Sequence, residues 1–157
     1  MRRKDREIQN IEEIEEIIEK ADVCRIALSD RDMPYIVTMN FGYRGGKKPA
    51  LFLHCAHEGK KVEIIKRNNR ACFAIDVDHE LVKTDSGCNF SMHYRSVVGT
   101  GRIFFVEERD EKIKALRILM KHYTGVDQHS FDEKKVEGTT LLRLEIDGMS
   151  GKKRLPD

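Results

Sequence analysis

Val23-Cys24-Arg25-Ile26-Ala27-Leu28, then Ser29-Asp30-Arg31-Asp32, then Met33-Pro34-Tyr35-Ile36-Val37-Thr38-Met39-Asn40-Phe41-Gly42-Tyr43, then Gly45-Gly46-Lys47-Lys48-Pro49, then Ala50-Leu51-Phe52-Leu53-His54-Cys55-Ala56 follow one another almost without a break. Branched, aromatic and small residues fill the first, third and fifth pieces, and turn-forming residues fill the other two. Each turn is too short to hold a crossover helix. Three extended segments joined in this way make an antiparallel meander, which sets the fold class before anything else is read.

Working outward, residues 8–20 change the period. Ile11, Ile14, Ile17 and Ile18 recur at helical spacing, with glutamates on the remaining faces and Asn10 placed to cap the helix. Residues 59–68 form a short helix with Val62, Ile64 and Ile65 inward, and residues 70–77 a fourth strand. Residues 78–89 are polar and show no clear pattern. Residues 92–107 give the longest strand, in which Gly99 and Gly101 imply a bend, a bulge or a close approach. A helix over 108–123 and a last strand over 139–146 complete the reading. Six strands and about three peripheral helices imply a mainly β, α+β architecture centred on an antiparallel barrel. The βαβ alternation of a doubly wound sheet is absent, and neither GxGxxG nor GxxxxGK[ST] occurs, so a Rossmann or P-loop nucleotide site has no support.

The chain has 157 residues, enough for one domain, and no repeat or linker divides it. Its 29 Lys and Arg against 27 Asp and Glu leave a formal net charge of +2, which excludes a nucleic-acid glove or an acidic tail. No apolar run approaches the roughly 18 residues of a membrane span. Met1-Arg2-Arg3-Lys4-Asp5-Arg6 is followed by carboxylates rather than an apolar signal core. Cys24, Cys55, Cys72 and Cys88 have no CxxC spacing and read as reduced thiols. A cytoplasmic protein with an aliphatic core is expected.

Chemistry concentrates in three places. His54-Cys55-Ala56-His57-Glu58-Gly59-Lys60-Lys61 runs from a strand end into a helix start, where free amides, the positive dipole end and two lysines would suit an anion. Gly59 removes the side chain where the anion must approach. An ordinary strand-to-helix turn with solvated lysines is the alternative. Zinc is not expected: His54 and Cys55, adjacent on a strand, face opposite ways, and no ligand spacing accompanies them. The second place is His93 to Gly101, where the Arg95 guanidinium could grip phosphate with a paired fork and Ser96 could add a donor; an edge-strand arginine in water is the alternative. The third is the extended run from Pro34 to Tyr43, where Asn40 supplies the one side-chain amide and a plain core strand is the alternative.

In order and spacing these clusters resemble the pyridoxamine-phosphate-oxidase-like flavoproteins, and most closely their nitroimidazole-resistance (Nim-type) branch. The matching stretches are Met1 to Ile8, Pro34-Tyr35-Ile36-Val37 with Asn40-Phe41-Gly42-Tyr43, and Phe52 to Ala56 with Glu58-Gly59-Lys60-Lys61. Tyr94 to Gly101 and the terminal Gly151-Lys152 follow. The resemblance implies a six-stranded split β-barrel, a homodimer, and FMN held in clefts between the subunits. By the same resemblance Lys60 and Lys61 match the family's phosphate ligands, and Arg95-Ser96 a second basic patch. Val37, Thr38, Met39 and Asn40 match the strand whose backbone lines the flavin, and Cys55 sits beside it. His54 matches a histidine near the flavin and is the candidate substrate-facing catalytic group. Many relatives have proline where this chain has Thr38, and a small residue where it has Cys55. The implied function is an FMN-dependent oxidoreductase passing electrons to a small acceptor such as a nitro-aromatic compound; the alternatives are a flavin carrier or sensor without turnover, and a flavin-free interaction domain. Heme, used by related split barrels, is a further reading.

Overall fold

The meander bends once, at Asn40, and that bend makes the barrel. In the computed structural model, which describes residues 3–155, β2 (Cys24–Asp30) and β3 (Met33–Met39) pair from Cys24↔Met39 to Asp30↔Met33. The chain then leaves this ladder at Asn40. β4 (Phe41–Arg44) pairs instead with β5 (Ala50–Cys55), from Phe41↔Leu53 to Arg44↔Ala50. The strand expected over 33–43 is therefore two strands. With β6 (Arg70–Val82), β7 (Ser91–Val106) and β8 (Thr140–Arg154) between them, they form the opposite edges of one sheet ordered β3-β2-β6-β7-β8-β5-β4. A sheet whose edges are joined through one residue must curl on itself, leaving a seam beside β3. This is the split barrel.

Among the described residues the strand count is eight rather than six. The break at Asn40 adds one strand. The other is β1 (Glu7–Ile8), which pairs with Gly151 and Lys152 of β8 (Thr140–Arg154). Residues 7 and 8 stay out of the first helix because Asn10 caps it: α1 (Ile11–Lys20) begins where the Asn10 side chain accepts from the Glu12 amide at 2.9 Å. Ile11, expected in the apolar stripe, is 51% exposed as the first helical residue, while Ile14, Ile17 and Ile18 are buried. Met1 and Arg2 of the N-terminal stretch lie outside the described residues.

β6 (Arg70–Val82) and β7 (Ser91–Val106) run further than the pattern implied. Past a bulge at Asp78 and His79 they continue as a two-stranded ribbon, Glu80↔His93 to Val82↔Ser91, whose two solvated faces show no alternation. β8 likewise passes residue 146, because its partner β7 continues beside it. The glycines of β7 answer to their neighbours. A Cβ on Gly99 would lie 2.4 Å from the Phe73 ring, and one on Gly101 would strike the Glu145 carbonyl where β8 bulges.

Ile26, Leu51, Leu53, Phe73, Ile75 and Leu144 fill the barrel. Ile14, Ile17 and Ile18 of α1 join this core, and so do Ile64 and Ile65 of α2 (Lys60–Arg67). A second cluster lies outside β4 and β5, where α3 (Arg109–Thr124) buries Ala115 and Leu119 on Ala50, Phe52 and Leu141. α4 (Glu133–Glu137), a fourth helix the sequence pattern did not indicate, follows. No helix among the described residues is long and apolar enough to cross a membrane.

Candidate functional site

Three segments from the sequence reading lie along the seam. The first is β3, which among the described residues pairs only with β2, so its outer edge leaves backbone N–H and C=O groups open. Its side chains alternate: Val37 and Met39 turn toward the core, and Thr38 is exposed opposite Arg25.

The second is the end of β5. Leu51, Leu53 and Cys55 pack on the barrel interior, so Phe52 and His54 take the other face. His54 is exposed. Cys55 is half-buried, and burial pushes its thiol pKa up, with the Lys61 charge opposing. Asn40 directly precedes the pair Phe41↔Leu53 and His54 directly follows it. Since Gly42 pairs with Phe52, alternation puts Asn40 and His54 on that same outer face.

The third is the start of α2. Gly59, the residue before it, has φ +126° and ψ 167°, a conformation only glycine adopts without strain. No side chain among the described residues caps the helix, so its first amides are left to solvent or a ligand, and a Cβ built on Gly59 would meet open space. Lys60 is already engaged: its Nζ lies 3.2 Å from Asp30 and 5.2 Å from the centre of the Tyr35 ring. Asp30 also accepts from Arg67 at 2.9 Å, and its carboxyl is held below the usual carboxylate range, chiefly by Lys60. Lys61 is half-buried and forms no ion pair among the described residues. Nearby, His57 Nδ1 and Thr140 Oγ1 share a hydrogen bond of 2.6 Å.

Arg95 and Ser96 sit elsewhere. Leu28 is level with Ala71 and Arg95 with Val77, so Asp30 and Arg95 are about eight residues apart along β6, roughly 25 Å at strand rise. Lys60 and Arg95 of one chain therefore cannot grip the same phosphate. Arg95 donates to Asp78 at 2.6 Å and lies 3.9 Å from Glu16 of α1. Ser96 points the opposite way, its Oγ 3.4 Å from the Lys152 carbonyl oxygen. Tyr94, on the same face as Ser96, has Lys152 Nζ 5.6 Å from its ring centre, and Lys152 and then Arg6 hold its hydroxyl below the usual pKa.

Sequence reasoning missed the end of α3. Tyr123 Oη accepts from the Phe41 amide at 3.0 Å and from Asn40 Nδ2 at 3.2 Å, and donates to the Asp22 carbonyl at 2.7 Å. His122 Nε2 lies 2.7 Å from the Ala21 carbonyl oxygen, and its ring centre is 4.5 Å from that of Phe41. The one signal was a His-Tyr pair in the last turn of an otherwise amphipathic helix, which spacing alone could not link to a residue 83 positions away.

Comparison with known proteins gives a consistent picture. The family model for pyridoxamine 5'-phosphate oxidase matches residues 10–153. A candidate 5-nitroimidazole antibiotic resistance protein from Bacteroides thetaiotaomicron is 37% identical, covering 94% of this chain and 86% of that one, with a TM-score of 0.82. The flavocytochrome Anf3 from Azotobacter vinelandii is 20% identical over 96% of this chain and 70% of its own, with a TM-score of 0.80. A FAD- and heme-binding protein from Mycobacterium smegmatis is 20% identical over 97% and 76%, with a TM-score of 0.81. The latter two likenesses speak to the fold. No curated protein matches the chain.

Proposed function

The chain belongs to the pyridoxamine 5'-phosphate oxidase family, and we propose that it is an FMN-binding oxidoreductase that passes electrons from reduced flavin to a small acceptor such as a nitro-aromatic compound. The observation that carries this reading is the seam. An open strand edge, two polar side chains on one face and an uncapped helix start with an uncommitted lysine follow one another along it.

The groups present fit FMN. The edge of β3 from Val37 to Asn40 offers backbone donors and acceptors to the ring, and the α2 amides with Lys61 offer a positive cradle to one phosphate. Gly59 keeps that cradle open. A single cradle suits a mononucleotide; FAD is the outcome to be distinguished. When bound, FMN supplies the redox chemistry. His54, exposed beside Asn40, is the side chain we assign to face the acceptor and to hold or give a proton there at its imidazole. Cys55 closes the inner side.

A homodimer in the cytoplasm completes the proposal. In its support, Ile36 (64% exposed) and Val98 (52% exposed) stand on the outer sheet face with Ala27, Cys72, Ala74 and Thr100. Apolar ground of this kind is characteristic of interfaces.

Titration of the purified protein with FMN, FAD and riboflavin, followed by flavin absorbance and fluorescence, tests the reading. Uptake of FMN, stronger than of riboflavin, is expected, and a protein that takes up none overturns the proposal. Anaerobic photoreduction followed by a nitroimidazole separates the two roles: reoxidation with reduced product supports the oxidoreductase, and a flavin that stays reduced indicates a carrier or sensor.

A further inference from the structure

Resting on the flavin reading above, we propose that the Tyr123 hydroxyl is a positioning group. It presents the Asn40 side-chain oxygen as a fixed hydrogen-bond acceptor for the N3–H on the pyrimidine edge of the flavin.

Tyr123 Oη has three partners: the Asp22 carbonyl oxygen at 2.7 Å, the Phe41 amide nitrogen at 3.0 Å and the Asn40 amide group at 3.2 Å. A carbonyl oxygen only accepts, so the single phenolic proton goes to Asp22. A backbone N–H only donates, so Phe41 occupies one lone pair of the phenol oxygen. What is left on that oxygen is an acceptor, and Asn40 can meet it only with its NH2. The opposite rotamer would set two oxygen atoms against each other with no proton between them. The hydrogen-bond network thus assigns an amide orientation that electron count alone would leave open.

With Nδ2 turned to Tyr123, Oδ1 is turned away, and no donor among the described residues reaches it. Asn40 is exposed, at the corner where the open edge of β3 ends, on the face it shares with His54. The pyrimidine edge of an isoalloxazine carries one donor, N3–H, between two carbonyl acceptors. A side-chain acceptor fixed at the end of the flavin-lining strand is complementary to that donor and to neither carbonyl. Tyr123 is well placed to hold it, because its own helix is anchored there: His122 pairs with Ala21 and packs its ring at a tilt against Phe41.

The test compares binding of FMN and N3-methyl-FMN, which lacks this proton, to the wild type, Asn40→Leu and Tyr123→Phe. The wild type is expected to prefer FMN by about two- to tenfold, the worth of one net hydrogen bond. Asn40→Leu keeps the side-chain bulk and loses the acceptor, so its ratio falls to near one. Tyr123→Phe keeps Asn40 but frees its amide, so the ratio falls while FMN still binds; a purely structural role would weaken both flavins alike. Circular dichroism reports whether each variant folds, and if Tyr123→Phe does not, Asn40→Leu decides. Equal binding of both flavins by the wild type, or the wild-type ratio kept in folded Asn40→Leu or Tyr123→Phe, overturns this inference. A wild type that binds neither flavin overturns the flavin reading beneath it.

Discussion

Gly42 couples the barrel to the helix that carries Tyr123. A Cβ built there would lie 2.7 Å from the carbonyl carbon and oxygen of Ile118 and 2.7 Å from the amide nitrogen of Leu119. Ordinary carbon contacts begin near 3.5 Å, so Gly42→Ala demands roughly 0.8 Å of extra separation. All three atoms are backbone, and no rotamer can relieve them. α3 must move off β4 as a body, loosening Ala115 and Leu119 from Phe52 and Leu141. Overpacking of this kind costs about 1–3 kcal/mol, and for a chain of this size about 2 kcal/mol corresponds to a fall in Tm of roughly 4–8 °C. Because Tyr123 and His122 ride on the same helix, affinity for the proposed flavin should fall too. Gly87→Ala is the control, since a Cβ there meets nothing within 4 Å and the residue lies away from the proposed subunit interface; its stability should change by no more than about 0.5 kcal/mol. Thermal and urea unfolding of both variants settle the matter. If they melt within about 1 °C of each other, α3 is not rigidly seated on β4 and the reasoning fails.

Other outcomes follow from the same contacts. The Asp78 carboxyl is held below the usual carboxylate range chiefly by Lys20 and next by Arg95, so its contribution is present above the unfolded pKa and lost as pH falls through the folded one. Asp78→Asn should therefore lower Tm at pH 7, and the gap from wild type should close below about pH 4; a constant gap in melts across pH would contradict this assignment. Ile36→Lys with Val98→Lys should convert the proposed dimer to monomer in sedimentation velocity without unfolding it. Burial pushes the Cys24 thiol up to about 12, so iodoacetamide at pH 8 should spare Cys24 until the protein is unfolded, while exposed Cys88 reacts at once. Cys72, on the proposed interface, should react faster in the Ile36→Lys, Val98→Lys variant than in the wild type, as read by mass spectrometry.

The fold was legible where side chains face two different media. α1, α2 and the meander each have one wet and one dry face, and their limits came within a few residues. The break at Asn40 was not legible, because Val37 to Phe41 reads as one unbroken extended run and nothing local marks a strand changing its partner. The ribbon beyond Val77 was lost for the opposite reason, since water on both sides erases the pattern. At the candidate site, the uncapped helix start behind Gly59 was readable from the local strand-to-helix turn. That Asp30 engages Lys60, that Asp78 engages Arg95, and that Arg95 and Lys60 stand roughly 25 Å apart depend on strand order, which only tertiary structure supplies. Tyr123 belongs to the same class.

A strand edge open to a cofactor is open to another strand as well. The edge of β3 is a template for intermolecular pairing whenever nothing lies along it, and its exposed Met33 and Ile36 would make such pairing adhesive. Pro34 blunts the first half, because proline has no N–H to offer a neighbour. The half from Val37 onward has no such guard. The flavin proposed to lie there would then act as a chaperone of its own binding site, and freshly made chains would be expected to self-associate most readily before it arrives.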